Sequence, residues 1–317
     1  MVMAQSLFKV LKSGQPDRPL DVLAPAWSLP IVARMPEVRN GIPTQTAHGE
    51  VGIGTRRRIA KRLAGQYDRA IVMPRSFKAA LVPWFAGIPV RTGFRGESRF
   101  FLINDVKPFD PAVLDQTVKR FVALGSNGDL PDSLPDPSLR VSQDNQLRAI
   151  KALQLTTDRP VIAMMPGAEY GPAKCWPLEY FAELAARLDG AGYAVWVLGS
   201  DKDSAAGEAI AANSRARNLC GKTSLEDVID LLAICEQAVS NDSGLMHMAA
   251  AVGTHVHGIY GSSSSKFTPP LTKSRDIHEI TLDCRPCFER ECPLGHLKCL
   301  RDLGPDQIFR KIEEKSV

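Results

Sequence analysis

Short apolar runs punctuate the second half of the chain: PVIAMM at 160–165, YAVWVLG at 193–199, a briefer one at 217–220, QAVSN at 237–241 and HVHGIY at 255–260. Helical patterns fill the intervals at 177–190, 203–213, 224–235 and 243–252. A strand that is apolar along its whole length, rather than at alternate residues, is covered on both faces. Strand–helix alternation achieves that in a parallel sheet flanked by helices. The first half repeats the pattern less clearly, with strands near 20–25 (LDVLAP) and 69–73 (RAIVM) and helices near 3–12, 56–65 and 76–86. A chain of 317 residues holds two such domains. We place them at 1–150 and 159–317, with the Pro-, Asp- and Ser-containing stretch 126–159 as the passage between them.

No apolar stretch approaches the roughly 18 residues that would span a bilayer. The opening MVMAQSLFKVLKSG lacks the basic–apolar–small order of a secretory signal and reads as an amphipathic helix. With seven cysteines, an odd number, this points to the reducing cytosol. Charge is distributed unevenly. Residues 1–158 carry 22 Lys and Arg against 14 Asp and Glu, and residues 159–317 carry 17 against 21. The basic half is either a solvated face or a surface for a polyanion. No helix-turn-helix, RNA-binding or zinc-finger signature accompanies it, so nucleic acid is not an expected partner.

Ligands of open parallel sheets bind beyond the carboxyl ends of the strands. Three loops of the second half lie there: 166–174, 199–201 and 242–244. Asp242-Ser243-Gly244 opens a helix whose free N–H groups and dipole suit an anion; an ordinary N-cap explains the same residues. Asp242 would repel a phosphate, so in a binding site it should face neutral hydroxyls. Lys174 is the one cation of the 166–174 loop. Neither a P-loop nor a G-x-G-x-x-G fingerprint is present.

The stretches PGAEYGPAKCWP, VLGSDKD, LCGKTSLEDVIDLLA, SNDSGLMHMAAA and YGSSSSKFTPP, with PRSFKAALVPWFAGIPVRTGFRGESRFFLIND in the first half, resemble the ADP-heptose:lipopolysaccharide heptosyltransferases of glycosyltransferase family 9, and most of all the heptosyltransferase II group. The resemblance runs over nearly the whole chain. It implies a GT-B architecture, two Rossmann-like doubly wound domains facing across a cleft, and inverting transfer of L-glycero-D-manno-heptose from ADP-heptose to the first heptose of the inner core. By position, Lys174 and Asp242 would be catalytic, with Lys174 on the diphosphate and Asp242 on heptose hydroxyls. The amides of Ser243, Gly244 and Leu245 would cap the diphosphate, with His247 nearby. The backbone at Thr223 would meet adenine, Asp201 or Asp203 the ribose, and Glu169 and Tyr170 the sugar. Lys78, Arg91, Arg95 and Arg99 would attract the acceptor, a heptosylated Kdo-lipid A at the inner membrane surface. The implied place of action is the cytoplasm, peripherally at the cytoplasmic face of that membrane. ADP-heptose serves as donor substrate; no cofactor and no metal are expected.

Two features sit apart from this pattern. In the family a general-base aspartate follows Gly at the end of a strand that directly precedes a helix like Met1–Phe8. This chain opens at that helix, so the first strand and its Gly-Asp are expected to be missing from domain one, a start codon further upstream being the preferred account. A non-catalytic binder of nucleotide sugar or lipopolysaccharide core is the competing reading. Secondly, Cys284, Cys287, Cys292 and Cys299 fall within 16 residues in the pattern CxxC-x4-C-x6-C, with His296 among them. Four thiolates suit zinc or an iron–sulfur cluster; reduced structural thiols are the simpler expectation, and a zinc-dependent interaction module would leave the rest of the chain unexplained. His255 and His257, alternate in HVHGIY, read as a polar sheet edge.

Overall fold

The computed structural model describes residues 1–44, 50–126 and 130–315. The chain packs as two compact units, one of Met1 and Met3–Pro135, the other of Val2 and Asp136–Val317.

In the first unit, strand β1 (Asp21–Pro25) lies parallel to β2 (Asn40–Thr44), with Leu23 opposite Ile42. A second parallel sheet runs β3 (Arg69–Val72), β4 (Val90–Phe94), β5 (Asp105–Lys107). The helix Ile53–Leu63 turns Ile59, Ala60 and Leu63 inward, where Leu23 and Ile42 of one sheet and Ala70 of the other pack against the same cluster. Arg57, Arg58, Lys61 and Arg62 are exposed, the ordinary arrangement of an amphipathic helix, whereas Arg56 is buried and donates through Nε to the Val51 carbonyl at 2.6 Å. The helix expected at 76–86 is instead a 3-10 turn, Phe77–Ala80, followed by a short helix, Leu81–Phe85. Pro83 lacks an N–H and is tolerated there only because it falls in the first turn.

The second unit is one six-stranded parallel sheet in the order β11–β10–β9–β6–β7–β8. Its strands are β6 (Val161–Met165), β7 (Ala194–Val197), β8 (Arg217–Asn218), β9 (Gln237–Asn241), β10 (His255–Ile259) and β11 (Arg275–His278). Every residue of β6, β7, β9 and β10 is buried, which explains their continuous apolar signal. The helix Leu178–Gly190 buries Phe181, Leu184, Ala185 and Leu188, spaced i, i+3, i+4, i+7, against Ile162, Val195 and Val197. Full burial of a side chain such as Phe181 or Leu184 stabilises by about 1.5–3 kcal/mol. The chain builds outward from β6 to β8 and then returns to β9 on the other side of β6. The order therefore reverses between β6 and β9, and the loops leaving those two strands diverge at a topological switch point.

Two expectations need correction. Residues 136–158 do not lie between the domains but belong to the second unit. The helix Gln143–Ala152 within them is capped by Ser142, and Asn145 Nδ2 donates to Asp230 Oδ2 at 2.7 Å. Asp230 is fully buried and also accepts from the Ser142 N–H at 2.8 Å, so this polar anchor holds the segment to the helix Leu225–Leu232. The histidines of β10 are not a sheet edge either, because β11 pairs beyond them. His257 is fully buried, with Nε2 2.7 Å from Gln237 Oε1 and Nδ1 3.1 Å from His278 Nε2. His255 Nε2 lies 2.8 Å from Asp276 Oδ2. Partners on β9 and β11 satisfy the rings in the core.

Candidate active site

The switch point is locked by Asn241, the last residue of β9. Its Nδ2 donates to the Pro166 carbonyl at 2.6 Å, and its Oδ1 accepts from the Trp176 N–H at 3.0 Å. One fully buried amide thus grips both ends of the loop that leaves β6. Within that loop the turn Pro172–Lys174 carries Lys174 toward β9. Lys174 Nζ donates to Asp242 Oδ2 at 2.6 Å, with the side chains 17% and 5% exposed. Thr268 Oγ1 lies 3.3 Å from the same oxygen. An ion pair so far from water is not a surface ornament: deleting one partner leaves the other uncompensated, at a typical cost of about 3–5 kcal/mol.

This pairing bears on the two readings of the helix Gly244–Ala251. The Asp242 carboxylate is turned to Lys174, and Ser243, the N-cap residue, makes no side-chain capping bond; its Oγ lies 3.3 Å from Ser240 Oγ. The helix end is left to the dipole and its free amides, the arrangement that receives anions. A Cβ built on Gly244 would meet no atom within 4 Å, so the space before these amides is open. Ser243 and Leu245 flank it, both half-buried.

The other nominated residues sort themselves around this pair. The Tyr170 ring lies 5.3 Å from Lys174 Nζ, and its hydroxyl donates to the Phe288 carbonyl at 2.6 Å. Glu169 is exposed and paired with Lys202 at 2.8 Å, which holds its carboxyl below the usual range. Asp203 is committed to a capping box, accepting from the Ser200 N–H at 2.8 Å, so of the two ribose candidates Asp201 is the one left outside that box. Thr223 Oγ1 is buried without a hydrogen-bond partner among the described residues, as is His247 Nδ1. Burial pushes His247 down to about 4 against the opposing pull of Asp242, so the ring is neutral near pH 7.

Four basic residues were expected to meet the acceptor, and the structure separates them. Arg99 is 2% exposed and donates to the carbonyls of Pro74 and Phe94, both at 2.6 Å. It is a structural brace and no surface contact. Arg91 is half-buried and donates to the carbonyls of Leu102 at 2.7 Å and Ile88 at 2.6 Å. Arg95 is exposed beside the Phe100 ring, and Lys78 is half-buried. Sequence reasoning also passed over Asn241 and Thr268. The signals were present: a strand that ends on Asn just before the Asp, and a threonine inside the quoted SSSSKFTPP.

The family model for glycosyltransferase family 9 (heptosyltransferase) matches residues 56–298, which take in both the β6 loop and the β9 loop. Lipopolysaccharide heptosyltransferase 2 of Escherichia coli (strain K12) is 41% identical over 326 residues, 98% of this chain and 94% of that protein. Lipooligosaccharide heptosyltransferase 2 of Haemophilus influenzae is 41% identical over 330 residues, 99% of this chain and 95% of that one. The solved structure of E. coli ADP-heptose lps heptosyltransferase II is similar with a TM-score of 0.87 at 39% identity, over 99% of this chain and 94% of that chain. The parallel-sheet units share their α/β architecture with this GT-B structure. With sequence and fold agreeing over almost the whole length, the conclusion is direct: the chain belongs to glycosyltransferase family 9, the heptosyltransferases.

Proposed function

We propose that this chain is an inverting glycosyltransferase that moves L-glycero-D-manno-heptose from ADP-heptose to the first heptose of the lipopolysaccharide inner core. The observation that carries this reading is the Lys174–Asp242 pair beside an uncapped helix end at the switch point. In the transfer, the bond from the anomeric carbon to the diphosphate oxygen breaks. A bond to the acceptor oxygen forms, and the acceptor hydroxyl gives up its proton. Negative charge grows on the departing ADP. The Lys174 ammonium and the amides of Ser243, Gly244 and Leu245 meet that charge, without a metal ion being called for. Asp242, held through one oxygen by Lys174, keeps its other oxygen for the hydroxyls of the heptose. Tyr170 and Glu169 border the sugar, the backbone at Thr223 meets adenine, and Asp201 meets the ribose.

On the acceptor side, Arg95 and Lys78 are the cations left for a Kdo- and phosphate-bearing core. Near them Phe100 is 69% exposed, Phe101 60% and Trp84 40%. Aromatic rings interleaved with cations suit an anionic lipid surface. This supports action at the cytoplasmic face of the inner membrane, and no described helix is long and apolar enough to cross it. The test is to incubate the purified chain with ADP-heptose and heptosylated Kdo-lipid A. ADP release with an acceptor mass gain of one heptose is expected. Binding of ADP-heptose with no mass gain would instead make the chain a nucleotide-sugar binder.

A further inference from the structure

A fourth loop reaches the Lys174–Asp242 pair, from the strand next to β9. Residues 261–274 leave the carboxyl end of β10 and lead to β11. This loop presses on the one that carries Lys174: the Ser262 N–H donates to the Ala173 carbonyl at 3.0 Å. A Cβ on Gly261 would stand 2.5 Å from that carbonyl, so the approach leaves no room for a side chain.

Its turn is fixed before it delivers Thr268. Ser264 Oγ accepts from the N–H groups of Lys266 at 3.2 Å and Phe267 at 3.3 Å. The Ser264 carbonyl accepts from the N–H groups of Phe267 and Thr268, both at 3.1 Å. The Thr268 carbonyl accepts from the Tyr260 hydroxyl at 2.8 Å. Tyr260 is fully buried, and burial, with the Asp242 charge adding to it, pushes its phenol up, so it stays a donor. Pro269 and Pro270 follow, both buried. Both backbone groups of Thr268 are therefore committed, and a β-branched side chain is stiff at χ1.

The hydroxyl is delivered to the Asp242 carboxylate. Thr268 Oγ1 lies 3.3 Å from Oδ2 and 3.4 Å from Oδ1, nearly equidistant. Its third neighbour, the Ser264 carbonyl at 3.5 Å, already accepts two N–H groups, which fill its two lone pairs. An ionised carboxylate only accepts, so the hydroxyl is the donor. Each contact is longer than the roughly 2.7–2.8 Å of a committed O–H···O bond, as fits one proton shared between two oxygens. Lys174 grips Oδ2 at 2.6 Å. A carboxylate held through one oxygen can pivot about it, and a donor that reaches the second oxygen from another loop stops that pivot. We propose that Thr268 is a positioning residue: its hydroxyl, shared across both oxygens of Asp242, fixes the carboxylate in the orientation that receives the heptose hydroxyls. This rests on the sugar-binding reading of Asp242 given above and adds to it a residue from the loop after β10.

The experiment titrates the full chain with ADP and with ADP-heptose by calorimetry, beside thermal denaturation. The parent should bind ADP-heptose more tightly than ADP. Thr268→Val keeps the shape and removes the O–H. It should erode that preference roughly tenfold, the scale of one hydrogen bond to a charged group, with ADP affinity and Tm near parent values. Thr268→Ser restores the O–H and should recover most of the preference. On an Asp242→Asn background, Thr268→Val should cost nothing further. An unchanged preference in Thr268→Val would overturn the proposal. So would a joint fall in its ADP affinity and Tm, which marks a prop for the loop, or a Thr268→Ser variant as impaired as Thr268→Val. An added loss on the Asp242→Asn background would put the hydroxyl on the ligand itself and overturn it too. A parent that does not distinguish ADP-heptose from ADP would remove the sugar-binding reading of Asp242, and the proposal with it. None of these measurements involves turnover, so a chain that meets them all and transfers no heptose would lose its transferase reading and keep the role of Thr268.

Discussion

Lys174 and Asp242 are 68 residues apart in sequence and meet at 2.6 Å, the lysine from the loop after β6 and the aspartate from the end of β9. Because Asp242 is 5% exposed at its side chain, its charge depends on this partner. Lys174→Ala should therefore do two things. Transfer should fall on the order of 10²-fold, the usual cost of losing one electrostatic donor at a developing anion. Stability should drop by about 3 kcal/mol, since a buried carboxylate is left unpaired. Adding Asp242→Asn to that variant should recover much of the stability in thermal denaturation and none of the turnover. Recovery of turnover as well would reduce Lys174 to a counter-ion. Asp242→Asn alone should harm transfer more than ADP affinity. Equal losses in calorimetry would mean that Asp242 serves the lysine and not the sugar.

Much of the second unit was legible because its strands are buried on both faces, so PVIAMM and QAVSN carry an unbroken apolar signal. The first unit was harder to read. β2 is NGIPT, with Gly and Pro in place of an apolar run, and β5 has three residues. The three loops could be located as those that follow the carboxyl ends of strands, yet the sequence could not say that Asp242 faces Lys174 instead of capping its helix. Partner choice across 68 residues is a tertiary fact. Arg99 shows the same limit: a basic residue in a basic stretch looks like surface until its carbonyl partners are known. Asn241 escaped notice because an amide announces neither burial nor the two loops it joins.

Arg95 and Arg99 should accordingly give opposite phenotypes. Arg99→Ala strands the carbonyls of Pro74 and Phe94, each unsatisfied group costing about 1–3 kcal/mol. Its Tm should fall while the acceptor KM of the remaining folded enzyme stays put. Arg95→Ala combined with Lys78→Ala should leave Tm unchanged, raise the acceptor KM and flatten its salt dependence. Acceptor kinetics unmoved across ionic strength in that double variant would make this face solvated surface.

Acid should weaken the second unit through its buried histidines. Burial pushes His257 down to about 3, with His278 and His255 adding to the effect and Asp276 opposing it. His278 is lowered to about 4 by burial, against Asp276 and with Lys311, and His247 also to about 4. Folded values below the ordinary 6.5 mean that the unfolded chain binds more protons across this window. The stabilisation is complete above about pH 6.5 and is lost as pH falls toward 4 and below. His257→Gln should make Tm less steep between those limits in a circular dichroism series. An equally steep variant would assign the acid limb to carboxylates such as Asp276.

Gly244 gives the sharpest separation of site from scaffold. A methyl group there meets nothing within 4 Å, and the residue opens a helix at a backbone conformation open to any amino acid. Gly244→Ala should fold as well as the parent or gain up to about 1 kcal/mol from helix propensity. The methyl would stand before the free amides that we assign to the diphosphate. Losing one charge-assisted hydrogen bond of about 1.5–3 kcal/mol should weaken ADP roughly tenfold or more. Gly171→Ala makes the contrast, because φ there is +154° and a Cβ would lie 2.5 Å from the Arg290 carbonyl. That variant should lose stability first and affinity only as a consequence. Calorimetry with ADP beside thermal denaturation distinguishes the two. Undiminished ADP affinity in Gly244→Ala would mean that the diphosphate does not sit on this helix, and with it would go the role assigned to Ser243 and Leu245.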